Sequence, residues 1–353
     1  MYTSLHIKGF RCFRDLEIPK LARINLIGGR NNTGKTALLE AMVVFEAAAP
    51  APDPVIANLY GARGLHGRAM IALGFSDLIA DRPATGEAWI AAREGGREGR
   101  SETSLRVERP EGVERAVGGP SAPGEQGGPV DALHGLEPKR LVIGADGMHA
   151  SLTILPDGEL RSVGRPDALR RASMFLPARQ RVDHGFLAQV FTALRVERRQ
   201  GRLIGALQHL EPSLSNVELG YLGDPELHAD TGGPRLVPLS LLGEGMNRLA
   251  ELILGLSHLT GGVLLVDEIE NGLHHSVMPK VWAAIADAAT ELDVQVFATT
   301  HSYECVEAAV EAMGEDEGLL LYHRLDRIDG EISSVTYEPD VLRAAFETYL
   351  EVR

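Results

Sequence analysis

Apolar residues recur at short, strand-like intervals in the first part of the chain. Leu5, Ile7, Phe10 and Phe13 are followed by Leu16, Ile18 and Leu21, which predicts two or three strands over residues 4–27. Ile24-Asn25-Leu26-Ile27 closes this region as a buried strand. A helix begins at Ala37 and runs to about Ala49, where Pro50 and Pro52 stop it. Residues 55–80 read as helix and then strand. From 94 to 128 the pattern breaks. Gly, Arg, Glu and Pro dominate there, and only Leu105-Arg106-Val107 alternates. That composition predicts a flexible polar segment within a β-rich region. Residues 151–155 and 159–163 flank Pro156-Asp157-Gly158 as a hairpin.

The second half alternates strands with helices. Residues 173–177 read as a strand. Residues 184–198 and 201–210 read as helices, the second broken by Pro212. Residues 218–222 and 235–239 read as a strand pair about Asp230-Thr231-Gly232-Gly233. Met246, Leu249, Leu252, Ile253 and Leu256 are spaced for one face of a long helix over 244–259. Two aliphatic runs, 263–266 and 294–300, predict parallel strands buried on both faces. Residues 319–323, a turn at Asp329-Gly330, a return strand near 333–335 and a closing helix complete the pattern. Strands alternating with helices predict an α/β fold.

Within that pattern, Gly29-Arg30-Asn31-Asn32-Thr33-Gly34-Lys35-Thr36 fits G-x-x-x-x-G-K-[ST]. Gly29 and Gly34 let the backbone curl, so that the amides of Asn31, Asn32 and Thr33 turn toward a phosphate. Lys35 reaches the outer phosphates, and the Thr36 hydroxyl suits Mg²⁺. The helix opened by Ala37 offers its N-terminus to an anion. Arg11 and Arg14 precede the loop, either as solvated surface or as contacts to nucleotide phosphate or ribose. Asp267 and Glu268 follow the strand over 263–266, at the edge where open α/β sheets place ligands. There Asp267 suits a Mg²⁺ shell and Glu268 suits polarising water. His301 stands at the tip of the strand over 294–300.

Composition narrows the partners. The 44% apolar content supports a real core, and a net charge of −14 opposes non-specific nucleic-acid binding over the whole surface. Cys12 and Cys305 form no disulfide framework and have no metal spacing, which points to a reducing, cytoplasmic compartment. No apolar run reaches the length of a membrane span.

About 230 residues separate Lys35 from Asp267. That gap suits an ABC-type head holding a second lobe. Residues 17–40, with the Asn31-Asn32 pair, resemble the N-terminus of the RecF/SMC/OLD-like ABC ATPases. Leu239-Ser240-Leu241-Leu242-Gly243-Glu244-Gly245-Met246 resembles their signature segment, and Val266-Asp267-Glu268 their Walker B. Asn271-Gly272-Leu273-His274 resembles the D-loop, and Thr300-His301-Ser302 the switch histidine. Within that group the chain is most similar to the bacterial AAA15/AAA21-type ATPases related to OLD. The signature departs from Leu-Ser-Gly-Gly-Gln/Glu. Aligning Gly243-Glu244 puts Leu241 at the serine, and aligning Ser240 leaves two extra apolar residues before the glycine. Gln180 is either the Q-loop residue or an ordinary loop glutamine.

The resemblance implies a P-loop head formed by residues 1–88 and 173–353, with an N-terminal antiparallel β lobe and a mainly parallel core sheet flanked by helices. It leaves 89–172 as a β-rich insertion carrying the flexible segment 94–128. It implies an ATP hydrolase in which Thr36 and Asp267 hold Mg²⁺, Lys35 neutralises phosphate, Glu268 orients water and His301 senses the γ-phosphate. It implies a homodimer that closes each ATP between one phosphate loop and Ser240, Gly243 and Gly245 of the other copy. DNA-linked work such as phage defence or DNA repair follows from the same resemblance. OLD-type relatives carry a nuclease after the head. The roughly 50 residues beyond His301 are too few for one, so a nuclease or toxin effector would be a separate chain from a neighbouring gene. A nucleotide-gated scaffold with slow or no turnover is the alternative. The missing Leu-Ser-Gly-Gly-Gln argues against a transporter ATPase. Near-balanced arginines and glutamates in 94–128 favour a protein partner over DNA.

Overall fold

The computed structural model describes residues 1–46, 75, 78–81, 85–96, 101–109, 139–145, 148–154, 160–163, 171–178, 182–316 and 318–348. Most of 55–80, and Gln180, lie outside them.

β1 (Tyr2–Phe10) and β2 (Phe13–Ile18) form a hairpin. Their apolar positions, Leu5, Ile7, Phe10, Phe13, Leu16 and Ile18, are all buried. β3 (Ile24–Gly28) is buried along its whole length and leads through the phosphate loop into α1 (Lys35–Glu46). Every residue of α1 from Ala37 onward is buried. A helix so apolar all round belongs inside a core rather than on a surface. β4 (Gly86–Glu94), β5 (Ser101–Glu108), β6 (Lys139–Ala145), β7 (Met148–Ile154) and β8 (Leu160–Val163) extend the hairpin into a seven-stranded antiparallel sheet of order β2-β1-β4-β5-β6-β7-β8. The 151–163 hairpin forms as its sequence predicts.

Two expectations need correction here. Ser101–Glu108, inside the segment expected to be flexible, is a strand paired on both sides. Thr103, Leu105 and Val107 point into the core while Glu102, Ser104 and Arg106 face outward. A strand whose outer face is charged hides its period-two signal behind a polar composition. The boundary drawn at 88/89 also falls within β4, which pairs directly with β1.

β9 (Ser173–Leu176) begins the second sheet and is followed by α2 (His184–Val196) and α3 (Gly201–Leu207). Asp183 caps α2, its carboxylate accepting from the Phe186 N–H. A small meander follows: β10 (Asn216–Leu222), β11 (Asp224–Asp230) and the two-residue β12 (Val237–Pro238). The sequence pattern pairs 218–222 with 235–239. Instead β10 turns at Gly223 and pairs with β11, which Asp224-Pro225-Glu226 disguises as loop. The long helix is α4 (Glu244–His258), and β13 (Val263–Val266), α5 (Met278–Glu291), β14 (Gln295–Thr299) and α6 (Tyr303–Met313) follow. β15 (Leu320–Ile328), β16 (Glu331–Tyr337) and α7 (Pro339–Glu347) complete the described fold.

The second sheet has the order β16-β15-β3-β14-β13-β9. All its pairs are parallel except β15 with β16. One face packs on α4, α5 and α6 through Leu249, Leu252, Ile253, Trp282 and Ile285. The other closes over α1 and the antiparallel sheet through Leu38, Met42, Phe45, Leu265 and Phe297. Each such side chain fully buried contributes roughly 1.5–3 kcal/mol. The parallel strands therefore align their carboxyl ends along one edge, which carries the phosphate loop, Asp267-Glu268 and His301.

Candidate nucleotide-binding site

Gly29 opens the phosphate loop at φ +130°, and a Cβ there would run into the Leu325 carbonyl of β15. Only glycine lets the loop start so close to its neighbour. Asn32 adopts φ +65°, a left-handed position that asparagine tolerates. The Thr33 hydroxyl donates to the Arg30 carbonyl at 2.8 Å. Lys35 curls back over the loop, its ammonium donating to the carbonyls of Gly29 at 2.7 Å and Arg30 at 3.0 Å. Burial pulls the Lys35 pKa below the usual lysine value, while the carboxylates of Asp267, Glu268 and Glu270 work to raise it.

The acidic pair comes to the loop across the sheet edge. The Thr36 hydroxyl lies 3.1 Å from both carboxylate oxygens of Asp267. The Thr299 hydroxyl at the end of β14 donates to Asp267 Oδ1 at 2.6 Å and accepts from the Glu268 N–H at 2.9 Å. Glu268 itself sits at φ +47°, unusual for a residue with a side chain. Thr299 thus fixes both residues: one through its side chain, the other through its backbone. The Glu268 carboxylate accepts from the Asn271 amide at 3.3 Å, and one of its oxygens is 3.9 Å from His301 Nε2. Glu270 lies at the same distance from that nitrogen and accepts from the His301 N–H at 3.0 Å.

Thr36 and Asp267 present converging hard oxygen donors, the chemistry that Mg²⁺ takes. No group of three or more His, Cys, Asp or Glu side chains suited to a metal occurs among the described residues.

The signature-like segment lies elsewhere in its contacts. Ser240, in a 3₁₀ turn at Leu239–Leu241, donates its hydroxyl to Glu226 of β11. Leu241 is 75% exposed. Gly243 caps α4 at φ +115° with open space around it. Gly245 faces inward, where a Cβ would stand 2.8 Å from the Gly272 carbonyl, so α4 packs directly on the D-loop-like turn.

Arg11, a candidate nucleotide contact, is held in a buried ion pair. Its Nε lies 2.7 Å from Glu40 Oε2, with the two side chains 6% and 0% exposed. A buried carboxylate on α1 requires a cation, and Arg11 supplies it beneath the loop. Arg14 pairs at the surface with Asp81 and Glu331.

Sequence reasoning missed Thr299, Glu270 and Arg248, whereas Asn271 belongs to the D-loop-like segment it singled out. Arg248 lies on the buried side of α4 and donates to the Asp267 carbonyl at 2.8 Å, with Glu251 beside it. Burial lowers its pKa and Glu251 acts to raise it. The signal was available: a lone cation on an apolar helix stripe must be paired. Thr299 gave none, since a threonine suits any buried strand.

The fold is that of an ABC-type P-loop head, and its sheet edge brings the phosphate loop to Asp267. Comparison with known proteins agrees. Residues 176–307 match the family model described as "AAA domain, putative AbiEii toxin, Type IV TA system", and residues 4–45 match a second "AAA domain" model. The structure is similar to an SMC head crystallised with the C-terminal winged-helix domain of ScpA, with a TM-score of 0.50 and 14% identity over 97% of this chain and 99% of that one. An uncharacterised Methanocaldococcus jannaschii protein is 44% identical over 48 residues, 14% of this chain and 22% of that protein. A Helicobacter pylori "ATP/GTP phosphatase" is 31% identical over 84 residues, 23% of each chain. The matches therefore span under a quarter of these relatives. No helix among the described residues is long and apolar enough to cross a membrane.

Proposed function

We propose that the chain binds ATP with Mg²⁺ and hydrolyses it. The observation that carries this reading is the meeting of Thr36 and Asp267 at 3.1 Å, with Glu268 and His301 beside them. Mg²⁺ held by Thr36 and Asp267 would neutralise phosphate charge. Lys35 binds the outer phosphates, and the loop amides of 31–34 with the N-terminus of α1 hold the rest. Glu268 accepts a hydrogen bond from the attacking water and orients it, and His301, braced by Glu270, contacts the γ-phosphate. Arg248 and Thr299 are positioning residues for Asp267.

Two copies join around nucleotide in this reading, the exposed Leu241–Gly243 surface of one facing the phosphate loop of the other. Turnover then controls a separate effector protein or a DNA-linked process such as phage defence or repair, with the β-rich region 89–172 as the partner surface. A nucleotide-gated scaffold with slow or no turnover is the second reading, favoured by the exposed Leu241, which stands at the signature serine when Gly243-Glu244 is aligned. ATP binding measured calorimetrically tests the first reading. Lys35→Ala abolishes binding if the loop is the site, and unchanged affinity overturns it.

A further inference from the structure

We propose that a small acidic pocket between α2, the β10–β11 hairpin and α4 is a docking site for a partner protein, which inserts one arginine side chain flanked by apolar residues. This rests on the reading that a separate protein answers to the chain, and it adds a surface distinct from the β-rich region 89–172. The cavity is about 40 Å³. Whole small-molecule sites run from about 300 Å³ upward. A water needs roughly 10–15 Å³, so the space holds about three waters or the end of one side chain.

Strand alternation builds the pocket. Val217, Leu219 and Tyr221 share one face of β10, and Ala229, Leu227 and Pro225 stand opposite them on β11. That apolar face leaves the core gradually. Val217 and Ala229 are fully buried, while Tyr221 is 68% exposed near the turn at Gly223. Between those ends, Leu219, Pro225 and Leu227 meet Leu187 of α2 and Leu239 of the 3₁₀ turn as the apolar wall of the pocket. Ala188 of α2 and Ala250 of α4 line it too, and their short side chains leave the space open.

The charged lining is acidic. Glu226 and Glu251 reach the pocket beside His184 and Asn247, and among the described residues no lysine or arginine does. Glu251 is buried and lies 3.5 Å from Arg248. Glu226 accepts the Ser240 hydroxyl and makes no ion pair among the described residues. Asp224 adds a further negative charge at the exposed turn. A carboxylate has about four acceptor positions, so Glu226 keeps capacity for a guanidinium. Arginine suits this site better than lysine, because its planar head is more weakly hydrated. Its methylene stem can lie along the apolar wall while the charge meets Glu226. The net charge of −14 draws basic partners toward the chain as a whole. Because Glu226 also holds Ser240, a segment docked here sits one contact away from the signature-like turn.

The test titrates two synthetic peptides, acetyl-Leu-Arg-Leu-amide and its counterpart with Glu in place of Arg, into the full chain followed by methyl NMR. The arginine peptide shifts the methyls of Leu219, Leu227 and Leu239 with a Kd of about 1 mM, and the glutamate peptide binds about tenfold more weakly or not at all. Glu226→Gln keeps an amide oxygen for Ser240 and weakens the arginine peptide by about tenfold, as for the loss of one charge-assisted contact. Asn247→Phe, at a half-buried lining position, fills the space and removes the shifts. Methyls away from the pocket keep their wild-type positions in both variants, so a lost fold is not mistaken for lost binding. No shift at about 10 mM peptide, equal binding of the two peptides, or an affinity indifferent to both substitutions overturns the site. So does a shift of the same methyls with protein concentration alone, which would put a second copy of the chain in the pocket. None of these readouts uses ATP, so their failure removes this surface and leaves the proposed turnover and its effector standing.

Discussion

His323 shows how one residue ties the fold to pH. It is fully buried in β15, between Thr336, at 3.0 Å from Nδ1, and Asn25, at 3.2 Å from Nε2. The Asn25 amide nitrogen is committed to two carbonyls, so its oxygen faces the ring and Nε2 donates. Nδ1 then accepts from Thr336, and the ring is neutral. Burial pushes its pKa down from 6.5 to about 4. Below 6.5 the unfolded chain takes up a proton that the folded chain refuses. This contribution is therefore complete above pH 6.5 and is lost as pH falls toward 4. Its upper size is about 3 kcal/mol, from roughly 1.4 kcal/mol per pKa unit. Denaturant unfolding across that window should show a shallower acid decline in His323→Gln than in the wild type, and parallel curves would remove His323 from the account. The phosphate loop was legible residue by residue because its chemistry demands a fixed spacing. Arg11 was not, because its partner Glu40 lies on another element and nothing local marks the pair.

Elements carry a different lesson. Strands buried on both faces, such as β13 and β14, announced themselves through continuous aliphatic runs, and α4 through its stripe. β4, β5 and β6 did not, because each presents a polar or charged outer face or small residues such as Ala88, Ala91 and Ala92. β11 was hidden by Pro225, which its place beside β10 tolerates. The signature segment was visible as a motif, but its contacts were not. Gly245 is the point where α4 meets the turn at Gly272. Gly245→Ala forces the two apart, at a cost of about 1–3 kcal/mol, and thermal unfolding should record a lower Tm. Gly205→Ala is the control, since a Cβ there meets nothing within 4 Å in α3, and it should leave Tm unchanged or raise it.

At the scale of the molecule, the site depends on two sheets holding α1 between them. Glu108 pairs with Arg140, so the ends of β5 and β6 stand side by side. Replacing residues 110–138 with a short Gly-Ser linker should therefore preserve both the fold and ATP turnover. Removing 94–128 instead takes β5 out of the sheet and exposes Leu141 and Ile143, whose partners are Val107 and Leu105. Circular dichroism and phosphate release distinguish the two deletions, and a folded, active 94–128 deletion would contradict the role given to β5. Assembly belongs to this scale as well. ATP with Mg²⁺ should raise the mass seen by light scattering to that of a dimer, and an ATP-independent mass would count against nucleotide-driven pairing.

The central claim is that Glu268 orients water at a nucleotide held by the phosphate loop. Steady-state phosphate release by Glu268→Gln at saturating ATP tests it most directly. The account predicts turnover lower by about a hundredfold or more, the scale of losing a positioned base, in a variant that still binds ATP. Wild-type turnover by Glu268→Gln would contradict it.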